Sequence, residues 1–251
     1  MGLRVERIPT WQDNYTYLLV CEATGEAAVV DAPELEPVVA RVEAAGVKLT
    51  HVLSTHHHPD HSMANPDLAE KYGAPVLGHV TDADRLPGYT TGLEEGDTIR
   101  VGEQEAHILF IPAHTRGHIA YVFDEAKAVF SGDTLFAGGC GRLFEGTTEM
   151  MFSAMQKLGA LPGDTRVFCG HEYTESNLAF AAHVEPDNAA VAAALENARK
   201  ARANAASDWH DATPAEMTVP STIADEHATN PFMRADTAEE LGRRRTMKDN
   251  F

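Results

Sequence analysis

The stretch Thr55-His56-His57-His58-Pro59-Asp60-His61 constrains this chain more than any other. The apolar pair Val52-Leu53 precedes it, so it lies on a loop at the C-terminal end of a strand, where site residues are commonly held. In extended backbone, residues two apart point to the same side. His56 and His58 can therefore converge on one ion, while His57 faces away and takes a structural role. Pro59 then bends the chain and lets Asp60 and His61 face a neighbouring ion. Neutral imidazole with carboxylate suits zinc, iron or manganese. Chance places His-x-His-x-Asp-His in a chain of this length and composition roughly 0.002 times.

Three more polar residues follow apolar, strand-like runs in the same way: His118 after 107–111, Asp133 after 128–130 and His171 after 167–169. Four strand ends then present ligand types to one place, which makes the set far more specific than a single histidine after a strand.

The spacing of apolar residues predicts strands over 3–8, 14–22, 27–32, 49–54, 75–79, 97–101, 105–111, 119–124, 127–131 and 165–169. Helices are expected over 34–45, 65–72 and 148–159. This is a sheet-rich α+β pattern with covering helices. After about residue 172 strand-like runs cease and the alanine-rich stretch 188–195 signals helix. The expected division is a catalytic domain over 1–172 and a helical, substrate-binding domain over 173–251. Within the latter, Ser221 or Thr222 is the expected N-cap of a helix.

Asp and Glu number 38 against 20 Lys and Arg, a net charge of −18 that repels nucleic-acid phosphates, so a nuclease or general nucleic-acid binder is disfavoured. Arg4, Glu6 and Arg7 put charges where an export segment needs an apolar run, and no stretch of about 18 apolar residues occurs. A cytoplasmic protein without membrane association is expected. Cys21, Cys140 and Cys169 are odd in number and lack Cys-x-x-Cys spacing, so they read as reduced thiols, with Cys140 and Cys169 as small buried fillers. No long exposed apolar stripe is evident, so a monomer is expected.

Beyond the first motif, His114-Thr115-x-Gly117-His118, Ser131-Gly132-Asp133-Thr134-Leu135-Phe136 and Gly170-His171-Glu172-Tyr173 resemble, in order and spacing, the ligand motifs of the metallo-β-lactamase superfamily. The phrase 138–147, with Asn230-Pro231-Phe232-Met233-Arg234 and Arg245-x-x-Lys248-Asp249-x-Phe251, is similar to the hydroxyacylglutathione hydrolases within it. The resemblance implies a four-layer αββα sandwich with metals at one edge of two sheets, closed on one side by the helical tail. It implies two divalent metal ions, zinc first and iron or manganese as alternatives. His56, His58 and His118 would hold one; Asp60, His61 and His171 would hold the other; Asp133 would bridge them. His114 is read as structural. The implied reaction is attack of metal-bound hydroxide on a glutathione thioester, S-D-lactoylglutathione foremost, with Asp60 and Asp133 as the catalytic carboxylates. Arg142, Phe144, Tyr173, Arg245 and Lys248 would contact the substrate; eukaryotic members carry Lys and Tyr where this chain has Arg142 and Phe144. Thr134 and Glu172, beside presumed ligands, are expected to orient them.

The same superfamily hosts other chemistries. An iron-dependent persulfide dioxygenase is the rival, but relatives of that kind bind a single iron and lack the basic helical tail. A β-lactamase usually needs export, for which no segment is seen. A non-catalytic module should show broken ligands, and all seven presumed ones are present.

Overall fold

The computed structural model describes residues 2–203 and 205–251. Strands β1 (Leu3–Thr10), β2 (Asn14–Cys21) and β3 (Glu26–Val30) form an antiparallel meander. The sheet then continues in parallel through β4 (Lys48–Leu53), β5 (Val76–His79) and β6 (Tyr89–Leu93), giving the order β1-β2-β3-β4-β5-β6. Helices α1 (Leu35–Ala45), the single turn α2 (Pro59–Ser62) and α3 (Asn65–Tyr72) interrupt this half. The second sheet comes from β7 (Thr98–Val101), β8 (Gln104–Phe110), β9 (Ile119–Phe123) and β10 (Ala128–Gly132), followed by the small β11 (Leu135–Phe136) and β12 (Gly139–Cys140) ribbon, α4 (Thr148–Gly159) and β13 (Arg166–Cys169). The C-terminal part is α5 (Thr174–Val184), α6 (Ala189–Arg202), β14 (Ser221–Thr222), α7 (Ile223–Thr229) and α8 (Ala238–Asp249). Sheet order here is β14-β13-β10-β9-β8-β7.

Burial on both faces explains the layers. Along β2, Tyr15, Tyr17 and Leu19 point between the sheets, where they meet Ile108, Tyr121, Phe130 and Phe168. The alternate residues Leu18 and Val20 point outward to Val38 and Val42 of α1 and Leu68 of α3. On the far side, Met151, Met155 and Leu158 of α4 pack with Phe180 of α5, Leu241 of α8 and Phe232 from the turn between α7 and α8. Tyr17 sits edge-on to Phe130 and Phe168, both at 5.3 Å between centroids, which anchors the two sheets to each other. The result is the α+β sandwich, helix–sheet–sheet–helix, that the sequence resemblance implies.

Four short strands depart from the sequence reading: β6, β14 and the β11–β12 ribbon. Apolar spacing does not predict strand β6, because its sequence, Tyr-Thr-Thr-Gly-Leu, has an exposed middle and lies at a sheet edge, where no apolar face is required. Strand character also does not end at 172: β14 adds to β13 through Arg166 and Val167. Thr222 caps α7, and a full capping box with Asp225 explains why the helix start is legible.

The C-terminal ends of β3, β4, β10 and β13 open on one edge. There the two sheets are stitched by backbone: the Tyr15 amide donates to Gly170 O at 2.8 Å, and the Glu172 amide donates to Asp13 O at 2.8 Å. A Cβ on Gly170 would collide with Asp133 Oδ1 and the His61 ring, so only glycine lets the β13 strand pass this close to the site.

Candidate metal centre

His56 and His58 leave β4 with the parity expected of extended backbone, and His57 turns the other way, 3.4 Å from Asp82 Oδ2. Pro59 starts the turn α2, which carries Asp60 and His61 toward the same edge. Ser62 closes this turn by donating to the carbonyls of His57 and His58.

Four imidazoles are fixed from behind. His171 Nδ1 meets Asp13 Oδ1 at 2.7 Å, His61 Nδ1 meets Asp31 Oδ2 at 3.1 Å and His114 Nδ1 meets Arg142 O at 2.9 Å. Thr55 Oγ1 donates its hydrogen to Asp31 Oδ2, so it accepts from His56 Nδ1 at 3.0 Å. An oxygen behind each ring holds the proton on that nitrogen and aims the lone pair of the other inward. The front nitrogens accordingly face one another: His56 Nε2 and His114 Nε2 each lie 3.1 Å from His58 Nδ1, and His61 Nε2 lies 3.2 Å from His171 Nε2. Asp60 Oδ2 closes the second group, 3.6 Å from His61 Nε2 and 3.4 Å from His171 Nε2. Asp133 touches both groups, with Oδ1 3.3 Å from His61 and Oδ2 3.5 Å from His114 Nε2 and 3.4 Å from His171 Nε2. Its buried Oδ1 has no hydrogen-bond partner. Converging lone pairs, an orphaned buried carboxylate oxygen and an all His/Asp donor set fit divalent cations.

The electrostatics point the same way. Burial and neighbouring imidazoles hold His56 and His118 well below the usual histidine value, and His58 is pulled down to about 4 for the same reasons. Burial also pulls His61 down, yet the Asp133 and Asp31 carboxylates outweigh it and leave that imidazole at about 10. Burial would raise Asp60, but the His171 hydrogen bond and the His61 charge bring it to about 2. Burial likewise opposes a proton on His171, but the Asp133 and Asp13 carboxylates outweigh it and raise that imidazole well above its usual value, so the carboxylates give this half of the cluster the negative potential that suits cations.

Six of the seven expected ligands are brought together; His118 is not. The third imidazole of the first group is His114, which the sequence reading takes as structural. His118 is fully buried behind the site, its ring stacked on His56 at 4.7 Å, and its Nε2 already accepts the Asp133 amide at 3.0 Å. Sequence reasoning also misses Asp31 and Asp13. Asp31 adopts a positive φ of 54°, unusual for a non-glycine residue, and accepts from the Thr55 amide at 2.8 Å as well as from His61. Glu172 and Thr134 do not orient the group: Glu172 takes Tyr15 Oη and the Thr218 amide, and Thr134 Oγ1 reaches Ile111 O.

A cavity of about 530 Å³ opens over the cluster, and all five expected substrate contacts line it. Tyr173 stacks parallel on His171 at 4.7 Å, and Phe144 stands edge-on to His114 at 5.1 Å. Arg142 is largely exposed. Arg245 is buried, with its guanidinium bonded to Cys140 O at 2.7 Å and to Asp249 Oδ1 at 3.0 Å. Lys248 donates to Ser176 O at 2.7 Å, and burial together with the Arg245 charge lowers it to about 8. Three cations at the mouth of an otherwise acidic chain suit a substrate bearing carboxylates. Cys21, Cys140 and Cys169 are free, and Cys140 and Cys169 are buried as expected; Cys21 is buried too. Among the described residues no helix is long and apolar enough to cross a membrane.

Residues 9–171 match the family model of the metallo-β-lactamase superfamily, and the chain belongs to that superfamily. The same architecture is seen in ETHE1 from Myxococcus xanthus (26% identity, TM-score 0.72, covering 100% of this chain and 91% of that one). It is also seen in the BLEG-1 B3 metallo-β-lactamase (20% identity, TM-score 0.67, 92% and 100%). Residues 172–251 match the model described as hydroxyacylglutathione hydrolase C-terminus. Hydroxyacylglutathione hydrolases of Rhodospirillum rubrum (44% identical; 94% of this chain, 89% of the relative) and Acidiphilium cryptum (44%; 100% and 98%) are similar along nearly their whole lengths, and the chain belongs to the hydroxyacylglutathione hydrolase family.

Proposed function

We infer that this chain is a metal-dependent thioesterase that hydrolyses S-(2-hydroxyacyl)glutathione, S-D-lactoylglutathione foremost, to glutathione and a 2-hydroxy acid. The observation that carries the reading is the placement of three cationic side chains, Arg142, Arg245 and Lys248, in the same cavity as the His/Asp cluster. A substrate carboxylate held by those cations leaves its acyl end over the imidazoles.

His56, His58 and His114 are proposed to hold one divalent cation, and Asp60, His61 and His171 a second, with Asp133 shared between them. Zinc is the first choice, and iron or manganese suits the same donors. Bound there, such ions lower the pKa of water toward neutrality and polarise a carbonyl. The residues supply the rest. Asp13, Asp31, Thr55 and the Arg142 carbonyl preset the imidazoles, Tyr173 and Phe144 wall the acyl group, and the basic cluster binds the thiol carrier. The leaving thiolate has a conjugate acid of modest pKa, so no protein acid is needed to expel it. Residues 1–172 carry the ligands and 173–251 supply Tyr173, Arg245 and Lys248, the proposed division into catalytic and substrate-binding parts.

The test is hydrolysis of S-D-lactoylglutathione by purified protein, with metal content measured on the same sample and persulfide-dependent oxygen uptake run in parallel. Chelator-sensitive hydrolysis with about two metals per chain, both lost in Asp133→Ala, is expected. Oxygen uptake with one iron and no hydrolysis would overturn the reading.

A further inference from the structure

We propose that Glu145, held by Arg85 and the Arg116 amide, is a positioning residue that sets the loop 141–147 against the metal-binding histidines and so couples metal affinity to substrate grip. The proposal rests on the thioesterase reading only for its substrate half. Loop 141–147 has no regular structure of its own, yet three of its groups face the site. The Arg142 carbonyl lies 2.9 Å from His114 Nδ1 and fixes that ring's orientation. The Phe144 ring stands edge-on to both His114 and His58, at 5.1 and 5.8 Å. The Arg142 side chain lines the cavity. A loop with these duties needs an anchor, because loop backbone left to itself samples many conformations.

Glu145 is that anchor. Its Oε2 accepts the Arg116 amide at 2.8 Å, which ties the loop to the 114–118 segment. Its Oε1 meets Arg85 Nη1 at 2.5 Å. The other Arg85 nitrogen, Nη2, meets Asp82 Oδ1 at 2.5 Å, and Asp82 Oδ2 lies 3.4 Å from His57 Nδ1. Asp82 is itself buried against Gly117, where any Cβ would strike its carboxyl group. The ion-pair chain therefore runs from Glu145 in the substrate loop through Arg85 to Asp82 in the segment between β5 and β6, where Asp82 lies beside the first metal motif. His57, which faces away from the metals, packs beside Asp82 with its Nδ1 3.4 Å from Oδ2, so the first motif and the loop anchor meet there by packing. Gly146 completes the seat, lying so close to Ala113 that a Cβ would come within 2.5 Å of its Cα.

The experiment compares wild type, Glu145→Ala, Glu145→Gln and Arg85→Lys. Co2+ affinity is titrated against a chelating dye, and KM and kcat are measured separately on fully metal-loaded protein. Removing a group that orients a metal-bound histidine typically weakens metal binding about 10- to 100-fold. Glu145→Ala is expected to weaken the first-group Co2+ site by about that factor and to raise KM at least about tenfold, with kcat of the loaded enzyme within about threefold. Glu145→Gln, which keeps an acceptor for the Arg116 amide, and Arg85→Lys, which keeps the charge, should fall between wild type and Glu145→Ala. If Glu145→Ala does not fold, the two milder variants decide. Unchanged Co2+ affinity and KM in the folded variants overturn the proposal. The Co2+ titration needs no substrate, so it stands even if the thioester proves not to be hydrolysed.

Discussion

His114 and His118 sit four residues apart in one loop, and only one of them reaches the cluster. The useful signal is distance from the strand end: His56 is three residues past Leu53, Asp133 one past Gly132 and His171 two past Cys169. His114 is four past Phe110, whereas His118 is eight past it and immediately precedes β9, where it is buried behind His56. Motif order alone cannot separate two histidines that share one motif. The difference has a measurable consequence. His114→Ala should lose about one metal equivalent per chain and drop kcat/KM by at least about 100-fold, since it removes a donor outright. His118→Ala should keep both metals and instead lose stability. It strips the Asp133 amide of its acceptor, at about 1–3 kcal/mol, and leaves a cavity behind His56. Metal analysis beside urea unfolding of the two variants distinguishes the roles, and equal metal loss in both would refute the assignment.

The elements around the β11–β12 ribbon show a different kind of partial legibility. In the sequence Asn230-Pro231-Phe232 stands out only as part of a family tail, and the structure gives Asn230 a structural role. Its side-chain amide donates to Gly139 O at 2.9 Å, to Phe136 O at 3.3 Å and to Glu226 Oε2 at 2.8 Å. Glu226 in turn accepts the Gly138 amide at 2.9 Å. No spacing rule could reveal this, because the partners are about 90 residues apart in sequence and meet only when α7 docks on the ribbon. Burial pushes the Glu226 carboxyl up from 4.5 to about 7. The folded state then holds a proton that the unfolded state has released between those values. Stability is greatest below about pH 4.5, falls as pH rises through the window and reaches its full loss above about 7, of order 3 kcal/mol. Glu226→Gln keeps an oxygen for Gly138 and Asn230 but removes the titration. Relative to wild type, the variant should gain about 2–3 kcal/mol between pH 5 and pH 8 in chemical unfolding of the metal-free proteins. A difference that stays flat across that range would show that Glu226 does not titrate there.

The change of composition near residue 172 is plain in the sequence, but whether it marks a folding boundary depends on contacts that only the whole molecule displays. Residues 173–251 pack against both sheets. On the outer face of the second sheet, Phe180, Ile223, Phe232 and Leu241 complete the cluster begun by Val129, Met151, Met155, Leu158 and Val167. On the other side, Trp209 packs edge-on to Tyr15 at 5.3 Å and donates from Nε1 to Asn14 O at 2.8 Å, while Arg7 reaches the Val219 carbonyl. Asn14 in turn donates to the Asp60 carbonyl at 2.9 Å, so the tail props the edge where the cations are proposed to sit. Burying a large apolar side chain contributes about 1.5–3 kcal/mol, so those four core residues together contribute about 6–12 kcal/mol. That gross contribution, before the opposing chain entropy, is comparable in size to the net stability of an ordinary domain, about 5–15 kcal/mol. A fragment of residues 1–172 is therefore expected to retain strand content but to lack a cooperative transition, to bind a hydrophobic dye and to hold metal only weakly. Near-UV circular dichroism, dye binding and Co2+ titration of that fragment beside the full chain test this. Sharp melting with undiminished metal affinity would mean that the N-terminal part carries its own complete core, and that the helices contribute to the substrate cavity alone.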